Sequence, residues 1–154
     1  MRPLVVAFLL AVSVGGCSRL FGGAQRDVSQ SVPVNVDSTL RIAATQLRHH
    51  GYTVTPVGDN SLVTTPRAVP DWLGEKDGQM KGRQWFVQVN AEPHFLARGT
   101  RFEVTGYLVP NDAPRTGTNT AAIVQNAIAV TDKHQLYQEV RAIATWIGDA
   151  ARRR

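Results

Sequence analysis

The chain has 154 residues, with 17 Lys and Arg against 12 Asp and Glu, and 43% of it is hydrophobic. That length and apolar content suffice for one domain with its own core, and the single cysteine, Cys17, rules out an intrachain disulfide framework. The net charge of +5 suits contact with anionic headgroups or polysaccharide, and it bears on solubility and association rather than fold.

The chain opens on Met1-Arg2-Pro3, continues through an apolar run from Leu4 to Val14, and reaches Gly15-Gly16-Cys17-Ser18. A short positive region, an apolar core and small residues form the three-part layout of a secretory signal. At 1.5 Å per residue the run covers roughly half of a ~30 Å hydrocarbon core, too little for a transmembrane helix. Its end, Val14-Gly15-Gly16-Cys17, resembles the bacterial lipobox. That resemblance implies a signal peptide over 1–16, cleavage between Gly16 and Cys17, and diacylglycerol (palmitate-type chains) plus an N-acyl chain on Cys17. Stable membrane anchoring does take more than one acyl chain. Ser18 rather than Asp after the cysteine implies, by the same analogy, an outer-membrane protein facing the periplasm. A lipid-bearing Cys17 leaves no thiol nucleophile and no thiolate metal ligand, and nucleic acid is not an expected partner in that compartment. Removing residues 1–16 from 154 leaves 138. Of these, 17–27 read as a flexible tether containing Gly22-Gly23, and 28–152 as one domain.

Val32, Val34 and Val36 alternate with Pro33 and Asn35, which predicts a strand with Pro33 marking it as an edge. Asp37 or Ser38 then caps a helix with apolar positions Leu40, Ala43, Ala44 and Leu47, and Gly51 ends it with Tyr52 folding back on Leu47. Tyr52–Pro56 and Leu62–Thr65 flank the turn formers Val57-Gly58-Asp59-Asn60 and predict a hairpin. Residues 66–82, with Pro70, Gly74 and Gly78, read as a long exposed loop. Trp85, Val87, Val89 and Ala91 alternate with polar neighbours and Phe86, as do Phe102, Val104, Gly106 and Leu108 with theirs, so two antiparallel strands are expected around a Pro93–Gly99 connection. Asn111–Asn119 reads as a second loop, and Ala121–Val130 as a strand, although its alanines also permit a helix. Asp132 and Gln135 fit a capping box before a helical stripe of Leu136, Val140, Ile143, Ala144, Ile147 and Ala151 that ends in arginines. The sum is an α+β domain: an antiparallel sheet of five or six strands with two helices on one face. In element order alone, without a shared motif, it loosely resembles the helix-grip domains of BamC-type outer-membrane lipoproteins, a fold-level likeness that says little about function.

Catalytic constellations are not expected. His49-His50 are adjacent, so on a helix their rings project about 100° apart, whereas paired helical ligands stand at i and i+4; with His94 and His134 elsewhere, no metal site is expected. No G-x-S-x-G, S-x-x-K, G-x-G-x-x-G or Walker pattern occurs. Asp71, Glu75 and Asp77 could pair as acid and base, but they sit among Lys76, Lys81, Gly and Pro, as in a solvated loop. Apolar pairs in the connections point instead to contacts. Trp72-Leu73 and Phe95-Leu96 either meet a partner or the membrane, or fold back as lids. Trp85 and Trp146 read as core. Arg141 with Arg152-Arg153-Arg154 could hold a polyanion, or simply complement the helix dipole in solvent. The reading is a non-enzymatic envelope lipoprotein, an accessory or scaffolding subunit bound to an envelope protein partner. The alternative is a periplasmic binder of lipid, glycan or another anionic ligand. No cofactor is expected beyond the covalent lipid, and the membrane is met through the anchor.

Overall fold

The computed structural model describes residues 24–96, 98–110 and 126–154. In chain order they form β1 (Asp27–Val32), α1 (Val36–His49), β2 (Val54–Pro56), β3 (Ser61–Thr64), β4 (Arg67–Ala68) and α2 (Asp71–Lys76). A 3-10 turn at Gly78–Met80 follows, then β5 (Gln84–Pro93), β6 (Thr100–Leu108), β7 (Ile128–Ala129) and α3 (Tyr137–Arg152). The seven strands make five lanes, because β4 continues the lane of β3 along β5 and β7 continues that of β1 along β6; the order is β2-β3-β5-β6-β1. Pro66, with no N–H to donate, sits at the break between β3 and β4. All pairings are antiparallel, and α1 and α3 pack on each other and on the sheet. The architecture is the α+β arrangement the periodicities predict.

Alternation decides which face is covered. Trp85, Val87, Val89 and Ala91 from β5 and Phe102, Val104 and Leu108 from β6 are buried beneath the helices. From α3 the stripe Val140, Ile143, Ala144, Ile147 and Ala151 closes on them, with Leu136 just ahead of the helix. The other face carries Gln88, Asn90 and Glu92 opposite Thr105, Glu103 and Arg101. At one end of that face Phe86 and Val63 are buried, and Phe86 stacks on Tyr107 with ring centroids 5.2 Å apart.

Local chemistry sets the ends of α1. The Gly51 backbone takes φ +79°, Gly51 N–H donates to the Arg48 carbonyl at 3.0 Å, and Tyr52 N–H donates to the Leu47 carbonyl at 3.0 Å. This is the Schellman ending expected from the glycine. At the start, the Asn35 side chain accepts from Ser38 N–H at 2.8 Å, so the cap is Asn35 and not Asp37 or Ser38.

Three further expectations are corrected, and two others fall wholly or partly outside the described residues. The first strand ends at Val32, because Pro33 cannot donate to a ladder, and the Val34 carbonyl accepts instead from the Thr100 hydroxyl at 2.7 Å. Residues 66–82 are not one exposed loop: they hold β4, α2 and the 3-10 turn, pinned by buried Val69, Leu73 and Met80. Within 121–130 the described strand is only Ile128–Ala129, and 121–125 lie outside the described residues, as does the 111–119 segment. No side chain caps α3, which begins at Tyr137 after turns. There the His134 Nδ1 accepts Leu136 N–H at 3.1 Å, in place of an Asp132 capping box.

Candidate functional site

The register of the sheet gives the domain two distinct ends. Asp27 pairs with Thr105 and Val32 with Thr100, so the chain enters the domain far from the β5–β6 turn and runs toward it. Gln25 is held at the entering end, its carbonyl accepting Asp132 N–H at 2.8 Å, and the Tyr137 hydroxyl donates to the Asp27 carbonyl at 2.9 Å. Beyond Pro93 and Thr100 the β5–β6 hairpin projects at the opposite end.

That hairpin tip is the most exposed apolar feature among the described residues: Phe95 is 100% and Leu96 95% accessible. Its base is braced. His94 N–H donates to the Gly99 carbonyl at 3.1 Å, and Gly99, at φ +149°, lies so close to the Val32 carbonyl that no Cβ would fit. The tip therefore stands on a fixed foundation with its two apolar side chains in water.

Trp72 does not join it. α2 follows β4, whose Ala68 pairs with Gln84 at the start of β5, and the tip follows Pro93 at its end. Ten residues of strand at ~3.3 Å each put roughly 30 Å or more between them. Trp72 is 38% exposed, whereas Leu73 is 2% exposed and belongs to the core. Leu73 is thus no contact residue, because the inner side of α2 turns it toward the sheet while Trp72 stays at the surface. The arginines are also spread out. Arg141 and Arg152 lie three turns apart on α3, about 16 Å, and Arg152 is engaged with Asp149 at 3.2 Å and with the Gln30 Oε1 at 2.9 Å. Arg153 and Arg154 are exposed at the end of the chain. Cys17 and Gly16 lie outside the described residues.

Trp85 is core, as expected, while Trp146 is half-buried and stacks face to face with His50 at 3.6 Å. Among the described residues no three of His, Cys, Asp and Glu converge as metal ligands, and no helix is long and apolar enough to cross a membrane. Asp71 and Glu75 are exposed on α2, and the Asp77 carboxylate accepts Gln79 N–H at 3.0 Å in the 3-10 turn. His134 sits near Asp77 and Arg83. Burial pushes its pKa below the ordinary value, with Asp77 opposing the shift and Arg83 adding to it.

A shallow groove of about 330 Å³ on the open sheet face escaped the sequence reading. Asn90 and Glu92 of β5, Arg101 and Glu103 of β6, and Ser61 of β3 with the preceding Asn60 line it. The Arg101 guanidinium pairs with Glu103 at 3.0 Å and donates to the Ser29 hydroxyl at 2.8 Å. Strand alternation predicts that Arg101 and Glu103 share the outward face, but assembling the groove needs three strands whose pairing no local signal supplies. A second hollow, about 280 Å³, lies on the other side of the tip between Asn35–Asp37, Pro93 and Gly99–Thr100. Compared with known protein families and with curated proteins, the chain matches none.

Proposed function

We propose that the chain is a non-enzymatic lipoprotein of the bacterial cell envelope, acylated on Cys17. Its α+β domain acts as an accessory or scaffolding subunit through protein contacts in an outer-membrane or periplasmic assembly. The observation that supports this most is the Phe95-Leu96 tip, a braced hairpin end with both side chains in water. Full burial of a Leu or Phe is worth ~1.5–3 kcal/mol each, all of it forgone by the free domain and recovered against a partner. The lipid raises the local concentration of the domain at the membrane, and Val14-Gly15-Gly16-Cys17 is the signal for it.

The test is mass spectrometry of proteins that co-purify with the full-length chain from crosslinked envelopes, with Cys17→Ala as control. A defined outer-membrane or periplasmic complex, lost in the control, is expected. Abundant envelope proteins alone would turn the reading toward the second one, a ligand binder using the open sheet face. The groove beside Arg101 supports that alternative. Because Arg101 is already tied to Glu103 and Ser29, the groove suits a hydroxyl-rich glycan better than an anion. Binding of soluble glycan fragments that survives high salt would favour it, since exposed charge contacts are screened within ~10 Å at 0.1 M salt.

A further inference from the structure

The edge of a sheet presents backbone groups without a ladder partner, and the two edges of this sheet are finished differently. β2 is three residues long and ends on Pro56, two ordinary ways of blunting an edge. β1 runs for six residues without proline or lysine, and among the described residues no strand lies beyond it. Val109 N–H donates to the Gln84 carbonyl at 2.9 Å, and Val130 N–H to the Gly106 carbonyl at 2.8 Å. Odd-numbered residues of β6 therefore bond to β5, and even-numbered ones to the lane of β1. Val28, Gln30 and Val32, opposite Val104, Phe102 and Thr100, spend their N–H and C=O on β6. Asp27, Ser29 and Ser31 point theirs outward.

The Asp27 end is already occupied. Its carbonyl accepts the Tyr137 hydroxyl at 2.9 Å, and beside it Asp132 N–H donates to the Gln25 carbonyl at 2.8 Å. Ser29 and Ser31 remain, both exposed. A strand that matches them must offer two outward-facing residues in the same spacing, and β1 itself offers them. In an antiparallel pairing of two copies of β1 about a two-fold axis at Gln30, Ser29 meets the partner's Ser31, and the outward N–H and C=O of all these serines find partners. On the helix-covered face Val28, half-buried in one copy, meets the partner's Val32. No like charges stand opposite each other.

The helices fit the same axis. α3 packs on both β1 and β6. With strands ~4.8 Å apart, an axis midway between those two stands about 10 Å from its two-fold copy, within the ~8–10 Å of packed helices. The last turns of α3 lie level with the axis, because Arg152 donates to the Gln30 Oε1 at 2.9 Å and Gly148 sits too close to the Gln30 side chain for a Cβ to fit. Asp149 and Arg152, exposed and 3.2 Å apart, then face their antiparallel copies, Asp149 toward the partner's Arg152 and the reverse. This self-complementary charge favours a second copy over an unrelated strand.

We propose that two copies of the chain pair through the outer edges of β1, joining their five-lane sheets across a two-fold axis at Gln30, with the last turns of α3 meeting above it. The dimer rests on described residues alone and is independent of the lipid anchor.

The experiment uses two full-length chains with different tags, one Ser29→Cys and the other Ser31→Cys, produced together and oxidised in intact cells. Opposite residues of a hydrogen-bonded pair have Cα atoms ~5.5 Å apart, inside the ~4.4–6.8 Å of a disulfide, whereas position 29 lies diagonally from its own copy at ~7–8 Å. A disulfide between positions 29 and 31 is expected, in large excess over 29–29 and 31–31 products, with products through Cys17 told apart by peptide mapping. Thr55→Cys on β2 should give no dimer. Asp149→Arg in both chains, or Arg152→Asp in both, should lower the 29–31 product about tenfold or more through like-charge repulsion. Asp149→Arg in one chain with Arg152→Asp in the other should restore it, a rescue between chains that a purely structural role of either residue would not produce. Absence of the 29–31 product, an equal yield of the diagonal products, or no restoration by the mixed charges overturns the proposal.

Discussion

At each end of β5 the chain passes through a connection in which an aromatic residue precedes a leucine, and the two pairs meet opposite fates. Leu73 is 2% exposed, and Leu96 is 95% exposed. The difference is one of reach. The segment from β4 to its paired neighbour β5 runs through residues 69–83, long enough to fold back over the core, with Val69 and Met80 buried on either side of Leu73. It passes over the end of the core beside Trp85 and closes that end. The β5–β6 connection also joins paired neighbours, Pro93 opposite Thr100, but spans only residues 94–99, so its middle residues are carried beyond the strand ends and have no core within reach. One end of the domain is sealed by its own chain, and the other keeps its apolar side chains available.

Removing the same side chain at both ends tests this contrast. Leu73→Ala deletes a buried leucine beneath a six-residue helix that has no strong propensity of its own. It should cost about 2–5 kcal/mol in urea unfolding. A loss below ~1 kcal/mol would mean that α2 does not seal the core. Next in size is Asn35→Ala. Asn35 holds the first turn of α1, beside the hollow next to the tip, through its bond to Ser38 N–H, and its loss should cost about 1 kcal/mol. Amide exchange should quicken at Ser38 and leave the Schellman end at Gly51 protected.

The parts legible from the sequence are those whose cause is local. Gly51 and Tyr52 announced the end of α1, because a left-handed residue followed by an apolar one needs only the preceding turn. Strict alternation marked β5 and β6, and the stripe from Val140 to Ala151 marked α3. β1 was placed too late: its inward positions are Val28, Gln30 and Val32, and the polar Gln30, which meets Arg152, interrupts the apolar signal. α2 was hidden because it owes its burial to the sheet beneath it. The same blindness separated the candidate contacts. Composition offered both Trp72-Leu73 and Phe95-Leu96 as contacts, the first more strongly, whereas the fold buries Leu73, holds Trp72 about 30 Å from the tip, and gathers Asn90, Glu92, Arg101 and Glu103 into one groove.

A smaller effect belongs to the sealed end. Neutral His134 accepts Leu136 N–H through Nδ1, and burial holds its pKa below the usual 6.5. With the folded pKa depressed, the unfolded chain takes up a proton first as pH falls. The contribution of His134 is therefore present above about pH 6.5 and fades toward the folded pKa. His134→Asn keeps an acceptor without titrating. Any stability advantage of the native protein over this variant should narrow between pH 7 and pH 5 in thermal melts. A constant difference across that range would show that His134 titrates alike in both states.

The smallest expected change is at the open end and concerns stability alone. Phe95→Ala and Leu96→Ala remove side chains that touch almost nothing, while Gly99 against Val32 and the Thr100 hydroxyl on Val34 continue to brace the hairpin. Each should shift the unfolding free energy by no more than ~0.5 kcal/mol, with the urea dependence unchanged because no buried surface is lost. Set beside Leu73→Ala, the Leu96→Ala value separates packing from display for one and the same side chain. A loss near 1 kcal/mol or more at position 96 would mean that the tip folds back onto the domain in solution. Its leucine would then serve the fold, and the contact reading built on its exposure would fail. A negligible loss, joined to the disappearance of the crosslinked complex, would assign Leu96 to recognition without recourse to stability.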